Sequence, residues 1–501
     1  MGDTKYLLAH DFGTSGDKAT LFTTEGKFVA TKTTGYPSIT LSNGGVEQDP
    51  KDWWNCFCET NKALLKGIDN KDVLAVDFDG TYPNCLCIDK DGKPLNNAYI
   101  WQDVRAVKEV EELQAMIPKE TLLCNYEGII GANETLPKIY WIKKNEPEIF
   151  EKTRMIFPCC QDYIIFKLTG VSATSFAAAA NTTMMVPDRS DWSDEILSYI
   201  GLTRDQMPEL HKKTDIIGEV GEDLASECGL AAGTKLVIGT GDTESSMVGA
   251  GLIKPGDFYM NGGTSAGILG LVEKEDGSIG YCGDLTASSG TSYKWLKEEI
   301  CRIEQEEEKT SGRNVYDIIN EEIANAPVGS NGVFFHPYLA GERAPRYNGM
   351  AQGSFVGISL TTKRGDILRS VIEGIAMNIN VILEDVRSQG HDLKSVVIVG
   401  GLGKGDITRQ IFADVMDLEI KAPRFMEEAA TIGGAITAGI ALGIYTDEES
   451  ALEKYMEIVS VTKPNKENVE LYKKLIPIHE KIYQGLKDVY PDIYELKKEL
   501  G

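Results

Sequence analysis

The chain has 501 residues and a formal net charge of −25, with 42% apolar and 25% charged residues. A chain of this length exceeds a single core, so two or three domains are expected, and the composition excludes a disordered protein. The acidic excess argues against a nucleic-acid partner, because it repels phosphate backbones, and ten cysteines without a C-x-x-C pair indicate a reducing, cytoplasmic location.

The first half of the chain alternates strand-like and helix-like segments. The apolar runs KYLLAHDF, KATLFTTEGKFVATKT, DVLAVDFDGT and CLCID predict strands. The segment DPKDWWNCFCETNKALLKGI predicts a helix with Asp49 as its cap and Pro50 at its first position. This alternation is typical of an α/β domain.

Near residue 250 the pattern starts again. GDFYMNGGTSAGILGLV predicts a strand, a turn of small residues and a second strand, and KSVVIVGGLGKGD predicts a strand that runs into a glycine loop. RGDILRSVIEGIAMNINVILEDV has apolar residues at helical spacing, and the tail Val469 to Leu500 predicts a charged helical stretch. Ala429 to Tyr445 is apolar but short for a membrane span, so we expect a buried helix and no membrane contact.

The tripeptide Gly-Thr-Ser occurs at Gly13–Ser15 and again at Gly263–Ser265, half a chain length later. Each copy follows one strand-like run and precedes another. The repeat predicts a duplicated architecture of two α/β domains, residues 1–250 and 251–501.

Both tripeptides are candidates for binding phosphate. Glycine lets backbone N–H groups approach an anion, and the Thr and Ser hydroxyls add donors. Two ordinary β-hairpin turns explain either tripeptide equally well. The chain contains no GxxxxGK[ST] motif, so it is not a P-loop protein.

Asp242 is a candidate for proton chemistry. It follows the apolar run Lys235 to Ile238 and lies between Gly241 and Thr243. A carboxylate on a loop after a strand can accept a proton from a substrate hydroxyl. It can equally cap the helix predicted to follow, and the residues by themselves leave both roles open.

Several motifs in the same order resemble those of one family, the FGGY carbohydrate kinases, over nearly the whole chain. They are DFGTSGDK from Asp11, WQDVR from Trp101, QDYIIFKLTG from Gln161, GTGDTESSMVGAG from Gly239, NGGTSAG from Asn261, HPYLAGERAPRYNGMAQGSFVGIS from His336, GGLGKGDITRQIFADVMDLEI from Gly400 and EEAATIGGAITAGIALG from Glu427. The resemblance implies an α/β fold of two duplicated actin-like, ribonuclease H-like domains with the active site in the cleft between them. The first domain would bind the sugar and carry the catalytic base, and the second would bind the nucleotide.

The resemblance also implies a reaction and a set of site residues. The reaction is transfer of the γ-phosphate of ATP, with Mg²⁺, to a hydroxyl of a small sugar or polyol. Asp242 would be the general base, and Asp11 and Asp242 would face the metal. The nucleotide would contact Gly13, Thr14, Ser15, Lys18, Gly263, Thr264, Ser265, Gly400, Gly401 and Lys404. The sugar would contact Thr81, Tyr82, Trp101, Asn133, Asp242 and Thr243. A homodimer is expected.

The segment Phe78 to Asn84 departs from the family pattern. It reads FDGTYPN, whereas members that act on xylulose carry Q-M-H-G and those that act on glycerol carry an Arg-Glu pair. F-D-x-T resembles the members that act on ribulose, but WQDVR and the loop lengths resemble the xylulose and glycerol groups. We therefore expect a pentulose such as xylulose, with ribulose, glycerol, erythritol and gluconate as alternatives.

Two other classes of protein are compatible with the same fold. One is an actin-like ATPase that works through nucleotide-dependent assembly, although WQDVR and GERAP would then have no evident role. The other is an inactive sugar-binding regulator, against which the presence of Asp11 and Asp242 argues.

Overall fold

The computed structural model describes residues 4–125, 128–274 and 277–500. Its strands are β1 (Tyr6–Gly13), β2 (Gly16–Thr23), β3 (Phe28–Gly35), β4 (Ile39–Thr40), β5 (Val46–Gln48), β6 (Val73–Gly80), β7 (Leu86–Ile88), β8 (Ala98–Tyr99), β9 (Met155–Phe157), β10 (Ala173–Ser175), β11 (Glu209–His211), β12 (Ile216–Glu219), β13 (Lys235–Gly241), β14 (Phe258–Gly262), β15 (Ala266–Glu273), β16 (Ile279–Leu285), β17 (Phe334–His336), β18 (Ser354–Val356), β19 (Ser395–Val399), β20 (Glu419–Pro423) and β21 (Ile458–Thr462).

The helices lie between groups of strands along the chain. They are α1 (Pro50–Leu64), α2 (Val107–Met116), α3 (Thr135–Asn145), α4 (Pro147–Lys152), α5 (Cys160–Thr169), α6 (Phe176–Ala180), α7 (Asp194–Ile200), α8 (Glu222–Cys228), α9 (Asp242–Gly249), α10 (Ser289–Trp295), α11 (Arg302–Ser311), α12 (Val315–Asn325), α13 (Arg364–Ser388), α14 (Asp406–Met416), α15 (Ala429–Ala441), α16 (Glu448–Tyr455), α17 (Lys466–Leu486) and α18 (Tyr490–Leu500). Among the described residues, none of these helices has the length and apolar character needed to cross a membrane.

The chain forms two compact units. The first runs to Gly249 and also includes Ala430–Tyr455, and the second comprises Ala250–Ala429 and the chain from Met456 onward. The change of unit after Gly249 lies next to the predicted boundary after residue 250. The segment Ala430–Tyr455 differs from the predicted division, because it packs with the first unit although the sequence assigned it to the second.

Small residues explain why α15 belongs to the first unit. A Cβ on Gly433 would come within 2.0 Å of the Ser245 carbonyl oxygen, and one on Gly434 within 2.7 Å of the Asp77 carboxylate. Only glycine permits such a close approach between a helix and the chain beside it. The Thr431 hydroxyl also donates a hydrogen bond of 2.9 Å to Thr20 in β2.

The first unit is built on a six-stranded sheet in the order β12-β13-β6-β1-β2-β3. Strands β1, β6 and β13 are parallel to one another, and β2, β3 and β12 pair antiparallel. The predicted helix α1 is confirmed, with the Asp49 side chain accepting from the Lys51 N–H at its N-terminus. Apolar residues of this sheet and of α1 and α5 form its core.

A second apolar cluster of the first unit lies in the chain between β6 and β12. It contains Leu113 of α2, Ile139 of α3 and Trp192, all buried. This inserted region supports the segments that carry Tyr82, Trp101 and Asn133.

The second unit repeats the same plan. Its six-stranded sheet has the order β16-β15-β14-β19-β20-β21, with β14, β19 and β20 parallel. Across each sheet a three-stranded antiparallel meander is followed by two parallel strands and one antiparallel edge strand. Along the chain this edge strand precedes the last parallel strand in the first unit (β12 before β13) and follows it in the second (β21 after β20). The predicted duplication is therefore confirmed at the level of topology.

Long helices surround the second sheet. The predicted helix in RGDILRSVIEGIAMNINVILEDV is confirmed as α13, which is buried along most of its length. The predicted charged tail consists of two helices, α17 and α18, with a break at residues 487–489.

Candidate active site

Three parallel strands bring three carboxylates together at one edge of the first sheet. Asp11 of β1 is the register partner of Asp79 of β6, and Asp79 is also paired with Thr240 of β13. Asp242 follows β13 directly, as the first residue of α9. Parallel strands end at the same edge of a sheet, so Asp11, Asp79 and Asp242 form one acidic group.

Mutual repulsion and burial change the acidity of this group. Burial raises the pKa of Asp242 to about 7, and the charges of Asp11 and Glu244 add to that effect. Burial also raises the pKa of Asp11 to about 6, against the opposing effect of Lys18. The pKa of Asp79 lies well above its usual range because of burial, reinforced by the neighbouring carboxylates.

The acidic group fits a divalent cation. Within the described chain, Asp11 Oδ1 and both carboxylate oxygens of Asp79 are buried and have no hydrogen-bond partner. Hard oxygen ligands of this kind suit Mg²⁺. The described residues contain no cluster of three His, Cys, Asp or Glu side chains that could hold a metal ion, so a cation here would depend on phosphate oxygens and water for its other ligands.

The first Gly-Thr-Ser tripeptide forms a tight hairpin between β1 and β2, with Gly13 opposite Gly16. The Tyr36 hydroxyl donates to the Gly13 carbonyl over 2.5 Å, and the Gln48 side chain donates to the Thr14 carbonyl over 2.8 Å. The Trp101 indole N–H donates to Thr14 Oγ1 over 3.0 Å. These bonds fix the hairpin and connect a predicted sugar residue, Trp101, with a predicted phosphate residue, Thr14.

Ser15 and Lys18 lie at the same end of the hairpin. The Ser15 carbonyl accepts from the Tyr36 N–H over 3.2 Å. Lys18 is the register partner of Asp11 across the β1–β2 pair. Its ammonium group therefore lies near the acidic group.

The predicted sugar residues Thr81 and Tyr82 lie beside the acidic group. The Thr81 N–H donates to the Phe12 carbonyl of β1 over 3.0 Å. The Tyr82 hydroxyl donates to Glu244 over 2.5 Å, and its ring is so close to Gly241 that a Cβ there would clash with it. Tyr82 thus packs directly against the backbone that leads into Asp242.

The two remaining predicted sugar residues are Thr243, which is next to Asp242 in the chain, and Asn133, which lies in a separate loop. The Thr243 hydroxyl is exposed and donates to Asp242 Oδ1 over 3.2 Å. Asn133 lies in the loop before α3, where its side chain approaches Gly131. None of the hydrogen bonds described for the chain joins Asn133 to Asp242 or Trp101, so its place in a sugar site stays a prediction.

The second unit contains a pocket of about 730 Å³ next to the second Gly-Thr-Ser tripeptide. Four predicted nucleotide residues line it: Gly263, Thr264, Gly401 and Lys404. The Lys404 ammonium group forms an ion pair of 2.5 Å with Glu427 at this pocket. Backbone N–H groups of glycine turns with a nearby cation suit a polyphosphate.

Gly400 and Ser265 are not among the lining residues of this pocket, although they lie in the loops that form it. Gly400 has a φ of +94°, and a Cβ on it would come within 2.8 Å of the Gly263 nitrogen. The glycine therefore allows the loop after β19 to touch the β14–β15 hairpin. Ser265 is the last residue of that hairpin loop, before β15.

Sequence reasoning missed several residues of both sites. In the first unit they are Asp79, Glu244, Gln48 and Tyr36, and in the second they are Tyr293, Tyr316 and Asn320, which line the pocket. Asp79 carried a signal, because the run AVDFDG places two carboxylates within an apolar strand. The others had no distinctive pattern in the chain.

The two sheets share a three-stranded meander followed by two parallel strands, each with a hairpin at a cluster of polar residues, and this duplication is that of an actin-like fold. Comparison with known proteins identifies the class further. The model of the FGGY family of carbohydrate kinases, N-terminal domain, matches residues 6–249, and the model of its C-terminal domain matches residues 259–442. The chain belongs to the FGGY family, whose members are sugar phosphotransferases.

Individual relatives agree with this assignment along the whole chain. The xylulose kinase of Bacillus subtilis (strain 168) is 29% identical over 99% of this chain and 100% of its own length. The gluconokinase of Bacillus licheniformis is 27% identical over 99% of both. The crystal structure of gluconate kinase from Lactobacillus acidophilus superimposes with a TM-score of 0.83 at 25% identity, covering 98% of this chain and 100% of that one.

Proposed function

We propose that this protein transfers the γ-phosphate of ATP to a hydroxyl group of a neutral sugar, a pentulose such as xylulose, with Asp242 as the general base. The observation that carries the proposal is the meeting of Asp11, Asp79 and Asp242 at the ends of three parallel strands, beside the Thr14 hairpin. Family membership supplies the class of reaction.

Asp242 is suited to remove a proton from the attacking hydroxyl. A general base works best when its pKa is near the working pH, and burial raises the pKa of Asp242 to about 7. A carboxylate with the usual pKa would bind the hydroxyl proton more weakly during the transfer. The raised pKa of this carboxylate at the N-terminus of α9 therefore suits a general base, whereas a residue that only caps a helix does not require it.

Each unit by itself offers a candidate phosphate site. In the first, the Thr14 hairpin is rigid because Gln48, Tyr36 and Trp101 hold it. In the second, Thr264, Gly401 and Lys404 line the pocket, which would accept the nucleotide. Phosphoryl transfer needs mainly positioning and charge stabilisation, and these fixed donors provide both.

Asp11 and Asp242 would be the residues that face Mg²⁺. Bound with ATP, the cation would offset the negative charge of the phosphates as they react. The unpartnered oxygens of Asp11 and Asp79 are the structural support for this assignment.

The charges around Tyr82 favour a neutral sugar over gluconate. The acidic side chains nearest Tyr82 are Glu244 and Asp242, which would repel a substrate carboxylate. The lysines of this region have other partners: Lys213 forms an ion pair with Glu448, Lys18 lies opposite Asp11, and Lys138 donates to the Pro83 and Ile100 carbonyls. A substrate that presents only hydroxyl groups avoids this repulsion and can donate hydrogen bonds to the carboxylates.

A panel of acceptors tests the proposal. ADP release with Mg-ATP should be measured with xylulose, ribulose, glycerol, erythritol and gluconate. We expect one neutral acceptor to exceed gluconate in kcat/KM by at least about tenfold. A preference for gluconate would overturn the substrate assignment, and ADP release independent of any sugar would favour the actin-like ATPase. The expected homodimer stays a prediction, which sedimentation equilibrium can test.

A further inference from the structure

Lys138 of α3 is fully buried in the first unit. Its ammonium group donates one hydrogen bond of 2.8 Å to the Pro83 carbonyl and another of 2.8 Å to the Ile100 carbonyl. Burial lowers its pKa to about 7, so the folded chain accepts a cost to keep a lysine here. Lysine is rarely buried in full unless its head group has specific partners.

The two acceptor carbonyls belong to two different segments of the proposed sugar site. Pro83 directly follows Tyr82, whose ring packs against Gly241 before Asp242. Ile100 directly precedes Trp101, whose indole N–H reaches Thr14. A single ammonium group thus joins the backbone of both segments at the residues next to the predicted sugar contacts.

The first turn of α3 makes a further connection to the same place. The Thr135 hydroxyl donates to the Asn84 carbonyl over 2.8 Å, and the Asn84 side chain donates to the Thr81 carbonyl over 2.9 Å. Thr81, Pro83 and Asn84 are therefore held, directly or through the Asn84 side chain, by side chains of one helix turn.

We propose that Lys138 is a positioning residue for the sugar: it sets the spacing between the Tyr82 segment and the Trp101 segment through their backbone carbonyls. This inference rests on the proposed function, because it takes Tyr82 and Trp101 as sugar contacts. Lys138 does not touch the substrate itself. Its ammonium group joins the two carbonyls by two strong hydrogen bonds, since charged donors make stronger hydrogen bonds than neutral ones.

Lys138→Met tests the inference, because methionine fills a similar volume and cannot donate. We expect the KM for the sugar to rise about ten- to a hundredfold, the scale of one lost bond from a charged donor, while the KM for ATP and the kcat at saturating sugar stay near the wild-type values. Lys143→Met is the matched control. Lys143 lies on the same helix and donates to the Ile200 carbonyl over 2.8 Å, in another part of the unit.

The outcomes separate this inference from the proposed function. If the wild-type protein phosphorylates no sugar, the proposed function is wrong. If the wild type is active and Lys138→Met keeps its sugar KM, or if Lys143→Met raises that KM as much, the positioning role is wrong. Should Lys138→Met not fold, Thr135→Val and Lys138→Gln replace it. A smaller rise in sugar KM is expected from each, and wild-type sugar KM in both would overturn the inference.

Discussion

The two Gly-Thr-Ser hairpins occupy equivalent places in the two sheets but have different neighbours. In the first unit Asp11 lies two residues before Gly13 and pairs with Asp79. In the second unit Asn261 lies two residues before Gly263 and pairs with Val399. Two carboxylates in one copy thus correspond to an amide and an apolar side chain in the other.

This difference shows how a duplicated framework can serve two chemistries. The Asn261 side chain accepts a hydrogen bond of 3.0 Å from the Gly263 N–H, so it shapes its own hairpin without adding charge. A carboxylate there would repel the phosphates of a nucleotide, whereas carboxylates in the first unit can hold a cation and take a proton. The shared topology determines where each hairpin lies in its sheet, and the residues at the strand ends determine which chemistry each hairpin can support.

Removing the charge of Asp242, the proposed general base, is expected to have the largest effect on turnover. Asp242→Asn should lower kcat at least about a hundredfold, the scale of a lost general base, with little change in sugar binding. Turnover should be measured beside the surface control Asp188→Asn. A kcat within a few-fold of wild type would contradict the assignment of Asp242.

A thermal melt shows whether a loss of turnover in Asp242→Asn comes from the missing base or from unfolding of the chain. The pKa of Asp242 is about 7 in the folded chain, above the ordinary value of 3.8, so this carboxylate lowers the free energy of unfolding progressively as the pH rises from 3.8 to about 7, and its full cost is present above pH 7. Asparagine removes this cost. Asp242→Asn should therefore melt at a higher temperature than the wild type at pH 8.

Placing an aspartate in the second hairpin, at the position that corresponds to Asp11 in the first, should have an effect of intermediate size on the kinetics. Asn261→Asp keeps the oxygen that accepts from the Gly263 N–H and adds only a charge. The KM for ATP should rise about tenfold, because the added carboxylate repels the phosphates, and the KM for the sugar should not change. Kinetics with each substrate varied in turn measure both constants.

Asn465→Asp is the matched control for that charge. Asn465 caps α17 through its side-chain oxygen, and aspartate caps equally well. An equal rise in the KM for ATP in this control would show that general charge, not the hairpin, is responsible.

Acid stability is a further property in which the two units should differ. His336 and His479 stack in the second unit with ring centroids 4.0 Å apart, and burial lowers the pKa of His336 to about 4 and that of His479 well below its usual range. Between pH 6.5 and about pH 4 the unfolded chain protonates them and the folded chain does not, so the free energy of unfolding of this unit falls as the pH falls, by about 1.4 kcal/mol per pH unit for each histidine. Asp11 and Asp242 have the opposite effect on the first unit. Their pKa values are raised in the folded chain, so their contribution to the free energy of unfolding becomes more favourable as the pH falls.

Hydrogen exchange at pH 7 and pH 5, corrected for intrinsic rates, measures this difference. Amides of β17 and α17 should lose protection in acid before those of β1 and β6. His479→Gln should reduce the loss, and His391→Gln, in the same unit, should not. Equal loss of protection in both units would contradict the comparison.

The sequence predicted the elements that depend on local pattern. Strands β1, β2, β6, β14 and β19, helices α1 and α13 and the repeat of the hairpin follow from apolar periodicity and turn residues, which act over a few positions. Asp242 was also found in this way, because it is a carboxylate after an apolar run, whereas Asp11 was found through the motif DFGTSGDK. The motifs of the FGGY family then gave each of them a proposed role.

Only the tertiary structure decided which distant residues meet. Asp11, Asp79 and Asp242 converge because three strands, far apart in the chain, are parallel neighbours, and Ala430–Tyr455 joins the first unit because Gly433 and Gly434 let α15 approach it closely. The buried bridge from Lys138 to two carbonyls leaves no trace in the sequence, where it is one lysine among many. Local preferences are encoded in neighbouring residues, whereas burial, raised pKa values and bridging hydrogen bonds arise only when separate segments pack together.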